Sequence, residues 1–153
     1  MKEIKAPNRI DIADDCGFKI FLAGSIEMGK ADNWQERLVK SLTGERCVIL
    51  NPRRDDWDSS WIQEIDNPQF REQVEWELSA MNRANIIAMC FDPATKSPIS
   101  LLELGLYADS GKLIVYCPEG FWRKGNVDIV CRRYKIPMMV SEEDLILTVK
   151  GKL

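Results

Sequence analysis

The segment SPISLLELGLYA, residues 97–108, sets one carboxylate, Glu103, in a run of leucines. A charge taken out of water is costly unless a partner or a function uses it. The chain contains no histidine. That excludes a Ser-His-Asp triad, a Cys-His pair and any histidine-ligated metal. Nucleophilic or acid–base chemistry therefore rests on Asp, Glu, Tyr, Lys, Cys or the substrate itself. One structural reading of Glu103 is a capping box, Ser100-Leu101-Leu102-Glu103, in which it satisfies a backbone N–H. Against it, Ser97-Pro98 already supplies a cap and a proline at the first helical position. A helix starting there puts Glu103 in the second turn, too far along to close the box. At about 100° per residue, Leu101, Leu104 and Ala108 share one face, and Glu103 shares another with Ser100 and Tyr107. The helix dipole is expected to keep Glu103 ionised, as a nucleophile or electrostatic stabiliser and not as a general acid. Gly105, at about 1 kcal/mol worse than Ala in mid-helix, suggests a close approach to a strand.

Other residues could do chemistry. In NPRRDDWDSSW, residues 51–61, Asp55, Asp56 and Trp57 suit recognition of a flat base by hydrogen bonding and stacking, or else form a surface loop. Arg53-Arg54 and Arg132-Arg133 would bind a phosphate or lie solvated on the surface. Five cysteines, Cys16, Cys47, Cys90, Cys117 and Cys131, are scattered, with no C-x-x-C pair for zinc or redox work. Cys47, Cys90 and Cys117 sit in apolar runs and read as reduced core residues of a cytosolic protein. No metal-ligand cluster stands out, and the chemistry requires no cofactor. A net charge of -3 gives no basic footprint for a nucleic-acid polymer. The first residues lack the apolar core of a secretory signal, and no run nears the ~18 apolar residues of a membrane span. A cytoplasmic protein without membrane contact is expected.

These residues need elements to hold them. At 153 residues the chain reads as one domain. Residues 18–24, 46–52, 84–91, 112–118 and 136–140 read as strands. Helical patterns fall between them, at 32–42, from Asn67-Pro68 through Phe70, Val74, Leu78 and Met81, at 97–108, at DIVCRRY, and after Ser141. This alternation predicts a single flavodoxin-like, doubly wound α/β domain. Its five-stranded parallel sheet would run in the order 2-1-3-4-5, with helices on both faces. Residues 1–17 read as a polar N-terminal extension and 18–153 as the domain. Ligands in such folds bind beyond the carboxyl ends of the strands. That selects the loops GSIEMGKADN, NPRRDDW, DPATKSP and PEGFWRKGN.

Four features resemble nucleoside 2-deoxyribosyltransferases and related nucleotide N-glycosidases. They are FLAGSI after the first strand, QVEWELSAMNRAN leading into IIAMCF, SPISLLELGLYADSGKLIVY with its E-L-G core, and RKGNVDIV. They span most of residues 18–140. The resemblance implies that Glu103 attacks the anomeric carbon of a deoxynucleoside, forming a glycosyl-enzyme while the base leaves. A second base then takes the sugar with retained configuration, as expected for two displacements at one carbon. It implies that Glu77, where an aspartate is common, binds or protonates the base; the alternative is a solvated helix residue. Ser97 would lie near the sugar or its 5′ substituent, alongside any capping role. Gly24 and Ser25 would line the pocket with backbone N–H groups. Asn126 and Asp128 would reach a neighbouring subunit's pocket, or act as a helix cap and first-turn acid. Nucleotide-cleaving relatives place an arginine soon after GSI, where this chain has Glu27 and Met28. That favours a neutral nucleoside, unless Lys30, Arg53 or Arg54 substitutes.

The expected function is base exchange on a 2′-deoxynucleoside, with a nucleoside and a free nucleobase as partners and a homo-oligomer of two or more subunits. The alternatives are an N-glycoside hydrolase on the same site, or a non-catalytic nucleotide-binding module. Flavodoxin-like electron transfer is disfavoured, because the loop after the first strand lacks the Ser/Thr-rich cradle that FMN needs.

Overall fold

The computed structural model describes residues 1–11, 17–26, 31–58 and 60–153. Its sheet has six strands: β1 (Lys2–Lys5), β2 (Phe18–Gly24), β3 (Cys47–Asn51), β4 (Ile86–Cys90), β5 (Leu113–Tyr116) and β6 (Met138–Met139). All pairings are parallel, in the order β1-β3-β2-β4-β5-β6. The last five follow the expected flavodoxin-like order. The sixth is a correction, because KEIK, inside the expected N-terminal extension, pairs along β3 from Lys2 opposite Val48 to Lys5 opposite Asn51. A four-residue edge strand with one inward apolar side chain, Ile4, carries almost no hydrophobic pattern. Ala6 N–H donates to Asn51 O at 3.0 Å, and Asn51 Nδ2 donates to Glu3 Oε1 at 2.7 Å.

Five helices cover the sheet: α1 (Trp34–Ser41), α2 (Pro68–Arg83), α3 (Pro98–Tyr107), α4 (Lys124–Tyr134) and α5 (Glu142–Lys150). Strand residues alternate between two cores. Ile20, Leu22, Ile49 and Ala88 meet Trp34 and Leu38 of α1 and Leu145 and Val149 of α5. Phe21, Leu50, Ile87 and Met89 meet α2, α3 and α4 through Trp76, Ala80, Leu104 and Val127. Asn33 caps α1, Asn67 caps α2 ahead of Pro68, and Ser141 caps α5. Cys47, Cys90, Cys117 and Cys131 are buried free thiols; Cys16 lies outside the described residues.

Three further expectations are corrected. The buried stripe of α2 is Gln73, Trp76, Ala80 and Met81, while Leu78 is exposed. Trp76 dictates this rotation, since its indole packs inward and donates to Asn8 O at 2.8 Å. α4 starts at Lys124, ahead of DIVCRRY. Gly105 supports no close approach, because a Cβ there would meet nothing within 4 Å.

Close approach falls instead at Gly24. Its φ is +128°, and a Cβ would sit 2.1 Å from Cys90 O. Gly24→Ala should therefore force β2 and β4 apart at their carboxyl ends. The expected outcome is a loss of at least about 3 kcal/mol, or failure to fold, seen by thermal or urea unfolding.

Candidate active site

β2 and β4 are neighbours whose following helices cover opposite faces, which opens a crevice at their carboxyl ends. Beyond Gly24, Ser25 N–H donates to Cys90 O at 3.0 Å, and Asp92 N–H donates to Ser25 Oγ at 2.9 Å. Ser25 Oγ lies 2.5 Å from Ser97 Oγ, and Thr95 Oγ1 lies 3.0 Å from the first and 2.7 Å from the second. All three hydroxyl residues are buried. Ser97 precedes α3 in the left-handed region, φ 46°, and its hydroxyl makes no cap bond to the helix. The expected side-chain cap is thus absent; the hydroxyl is turned to Ser25 and Thr95. Sequence reasoning missed Thr95, whose only signal was its place in the DPATKSP loop.

Pro98 is the first residue of α3, so Glu103 is its sixth and closes no capping box. Leu104 and Ala108 face the core, as their spacing predicts. Glu103 looks toward α2 and is only 8% exposed. Among the described residues no hydrogen bond or ion pair reaches its carboxylate. The charge it feels is that of Glu77, half-buried on α2 one turn beyond Gln73. Burial first, and Glu77 second, push the Glu103 carboxyl up to about 8. This overturns the expectation of a carboxylate held ionised by the dipole. The dipole acts within the first turn, and Glu103 lies beyond it in a desolvated gap.

Glu77 is pushed up to about 7 by burial, opposed by a hydrogen bond from Gln73. The Gln73 Nε2 group spans Glu77 Oε1 at 2.8 Å and Pro52 O at 2.9 Å, tying the carboxylate pair to the loop after β3. Tyr107, one turn beyond Glu103, donates to Asn82 Oδ1 at 2.9 Å. Lys112 closes the end of α2 by donating to Met81 O at 3.3 Å and Asn82 O at 2.8 Å. Gln73 was also missed from the sequence, where a glutamine on a helix gives no warning of burial.

The remaining candidates lie around this centre. Asp56 is exposed and bound by Arg54 at 2.6 Å, which holds its carboxyl below the usual range. Trp57 stacks edge-on against Trp61 at 5.1 Å. Asn126 and Asp128 lie in the first turns of α4; Asp128 accepts from Lys124 at 3.0 Å. Asn126 lines a groove of about 300 Å³ with Leu101, Gly105 and Val130, whose lining includes neither Glu103 nor Glu77. Glu27, Met28 and Lys30 lie outside the described residues. Among the described residues no helix is long and apolar enough to cross a membrane.

Fold and crevice together define a doubly wound α/β protein with two desolvated carboxyl groups near the carboxyl edge of its sheet. The chain belongs to the family described as nucleoside 2-deoxyribosyltransferase like, whose sequence profile matches residues 17–121. A crystal structure of a conserved protein from Enterococcus faecalis V583 shares the fold at a TM-score of 0.63 and 16% identity. That match covers 90% of this chain and 99% of the other. No curated protein matches the chain.

The raised carboxyls set a pH dependence of stability. A folded pKa above the unfolded one stabilises at low pH, and that stability is lost as pH rises through the folded value. For Glu103 the loss runs from about 4.5 up to about 8. Glu103→Gln should therefore unfold several degrees higher than the parent at pH 8.5, with the gap nearly closed at pH 4.5. In a chain this size about 1 kcal/mol corresponds to roughly 2–4 °C. Thermal melts at the two pH values measure it.

Proposed function

We propose that this protein is a nucleoside 2-deoxyribosyltransferase that exchanges the base of a 2′-deoxynucleoside through a deoxyribosyl-Glu103 intermediate. The observation that carries the reading is the buried Glu103 carboxyl, which among the described residues has no hydrogen-bond or ion-pair partner and feels the like charge of Glu77, in a chain of this family. Glu103 Oε attacks C1′, the C1′–N bond breaks, and its electron pair leaves with the base. Glu77 gives that base a proton, and takes one back when the second base attacks C1′ and releases Glu103. Ser25 and Ser97 hold the sugar at the switch point through their hydroxyls; the Ser25 N–H, expected to line the pocket, is instead taken up by Cys90 O. A carboxyl destabilised as an anion in the empty site gains most when an electron-poor sugar carbon forms beside it. Neighbouring subunits in a homo-oligomer would supply Asn126 and Asp128 to each other's pockets. Asp56 and Trp57 would border the base.

Base exchange is measured directly by mixing a 2′-deoxynucleoside with a different free base and separating the products. Glu103→Gln keeps size and hydrogen bonding but removes the nucleophilic charge. Exchange should fall at least about a thousandfold, more than loss of one positioned donor or proton relay costs. Undiminished exchange would sink the mechanism. Free base without a new nucleoside would make water the acceptor, and the protein a hydrolase.

The rate–pH profile provides a second check. Two carboxyls this close titrate as a pair, and the working form holds one proton between them. Exchange should peak between about 7 and about 8, falling on both sides. A flat profile down to pH 5 would show that the pair is not the working unit.

A further inference from the structure

Each of the two carboxylates sits between a pair of anchors. On α2, Glu77 lies between Gln73, whose amide donates to Pro52 O at 2.9 Å, and Asn82, near the end of the helix. On α3, Glu103 lies between Ser97, which is held in the hydroxyl cluster with Ser25 and Thr95, and Tyr107. The far anchors meet. Tyr107 Oη donates to Asn82 Oδ1 at 2.9 Å and lies 3.4 Å from Leu78 O. Leu78 follows Glu77 directly, and Tyr107 is one turn beyond Glu103, so this contact is the next rung along the same helix pair. Among the described residues, no hydrogen bond or ion pair other than those of Tyr107 joins α2 to α3.

The end of α2 that Tyr107 grips is itself fixed. Lys112 Nζ donates to Asn82 O at 2.8 Å and to Met81 O at 3.3 Å, and Lys112 O accepts from Ile87 N–H at 2.9 Å, where β5 meets β4. Asn82 is therefore tied to the sheet by its backbone and to α3 by its side chain. The tie opposes a force. Glu103 feels the charge of Glu77, and like charges in a desolvated setting push their helices apart. Apolar burial is non-directional and tolerates a small slide of one helix along another, whereas a hydrogen bond weakens steeply with distance and angle. The Tyr107 ring packs against the core. Burial first, and the charge of Glu103 second, raise its phenol, so it stays a neutral donor while the carboxyls titrate.

We propose that Tyr107 is a positioning residue: by holding α3 to the last turn of α2, it sets how closely Glu103 and Glu77 approach, and so how strongly each carboxyl senses the charge of the other. It acts through the two helices and not on the reacting atoms. The inference deepens the base-exchange reading and rests on it for its consequence, since a pair that works with one proton between its members needs both of them close. Lys112 serves the same end from the sheet, by keeping Asn82 where the Tyr107 hydroxyl can reach it.

The test is a mutant cycle read by NMR. Carboxyl carbon resonances give the proton affinity of Glu103 in the parent and in Glu77→Gln, each with and without Tyr107→Phe. In the parent, Glu77→Gln should lower that affinity at least about tenfold, the level at which two sites titrate as a pair. With Tyr107→Phe present, the same change should lower it only about threefold or less. Asn82→Ala, which removes the acceptor and keeps the tyrosine, should weaken the coupling in the same way, and it decides the matter if Tyr107→Phe does not fold. Ser141→Ala, which costs α5 its cap on the other face of the sheet, is the control: it should lower the melting temperature and leave the coupling intact. In base exchange, Tyr107→Phe should lower kcat with KM little changed. It should also narrow the rate–pH peak on its alkaline side, because the second carboxyl then ionises at lower pH. Equal coupling with and without the Tyr107 hydroxyl, an equal loss in Ser141→Ala, or no coupling in the parent would overturn the inference. The titration requires no turnover, so exchange that survives Glu103→Gln would end the exchange reading and leave a Tyr107-dependent coupling standing. Conversely, Glu103-dependent exchange beside a coupling indifferent to Tyr107→Phe would overturn this inference alone.

Discussion

The contact on which the site depends is the approach of β2 to β4 at Gly24, where there is no room for a side chain above Cys90 O. That closeness lets Ser25 N–H reach Cys90 O and brings the Ser25 hydroxyl beneath Asp92 and beside Ser97. The hydroxyl cluster holds Ser97 in a left-handed conformation that few residues other than glycine adopt. From there Pro98 fixes the direction in which α3 leaves the sheet, and five residues later the helix delivers Glu103 to the gap against α2. A displacement at the strand ends would pass along rigid elements to the carboxylate.

The opposite wall of that gap is built on a different principle. α2 turns inward the stripe that carries Trp76 and Ala80, and Gln73 and Glu77 come with it. Two carboxyl groups then feel each other's charge in a desolvated setting, with one amide donor, Gln73, among the described residues. Like charges in such a place cannot both ionise cheaply, so the pair retains protons at pH values where surface carboxyls have none. This is a poor arrangement for stability. It suits a site in which positive charge develops on a substrate, since the repulsion is relieved only when that charge arrives.

Most of the architecture was legible from patterns of two and 3.6 residues. Apolar strands and capped helices gave the doubly wound fold, and the Ser97-Pro98 boundary placed Glu103 beyond its first turn. β1 escaped because an edge strand with one buried side chain has no pattern to read. The face of α2 was misread because Leu78 is more apolar than Gln73, yet Trp76 decides which side turns inward.

Residue identity and local order alone determined what chemistry is available: no imidazole, a carboxylate set among leucines, and a family pattern around E-L-G. Only the tertiary structure decided the state of that chemistry. The desolvation of Glu103, the Gln73 bridge and the place of the Thr95 hydroxyl all depend on which groups from distant segments meet, and on how much water remains between them. Those quantities are properties of the packed interior. Helical and strand periodicity carries no information about them, because it specifies a face of an element and not what that face will touch.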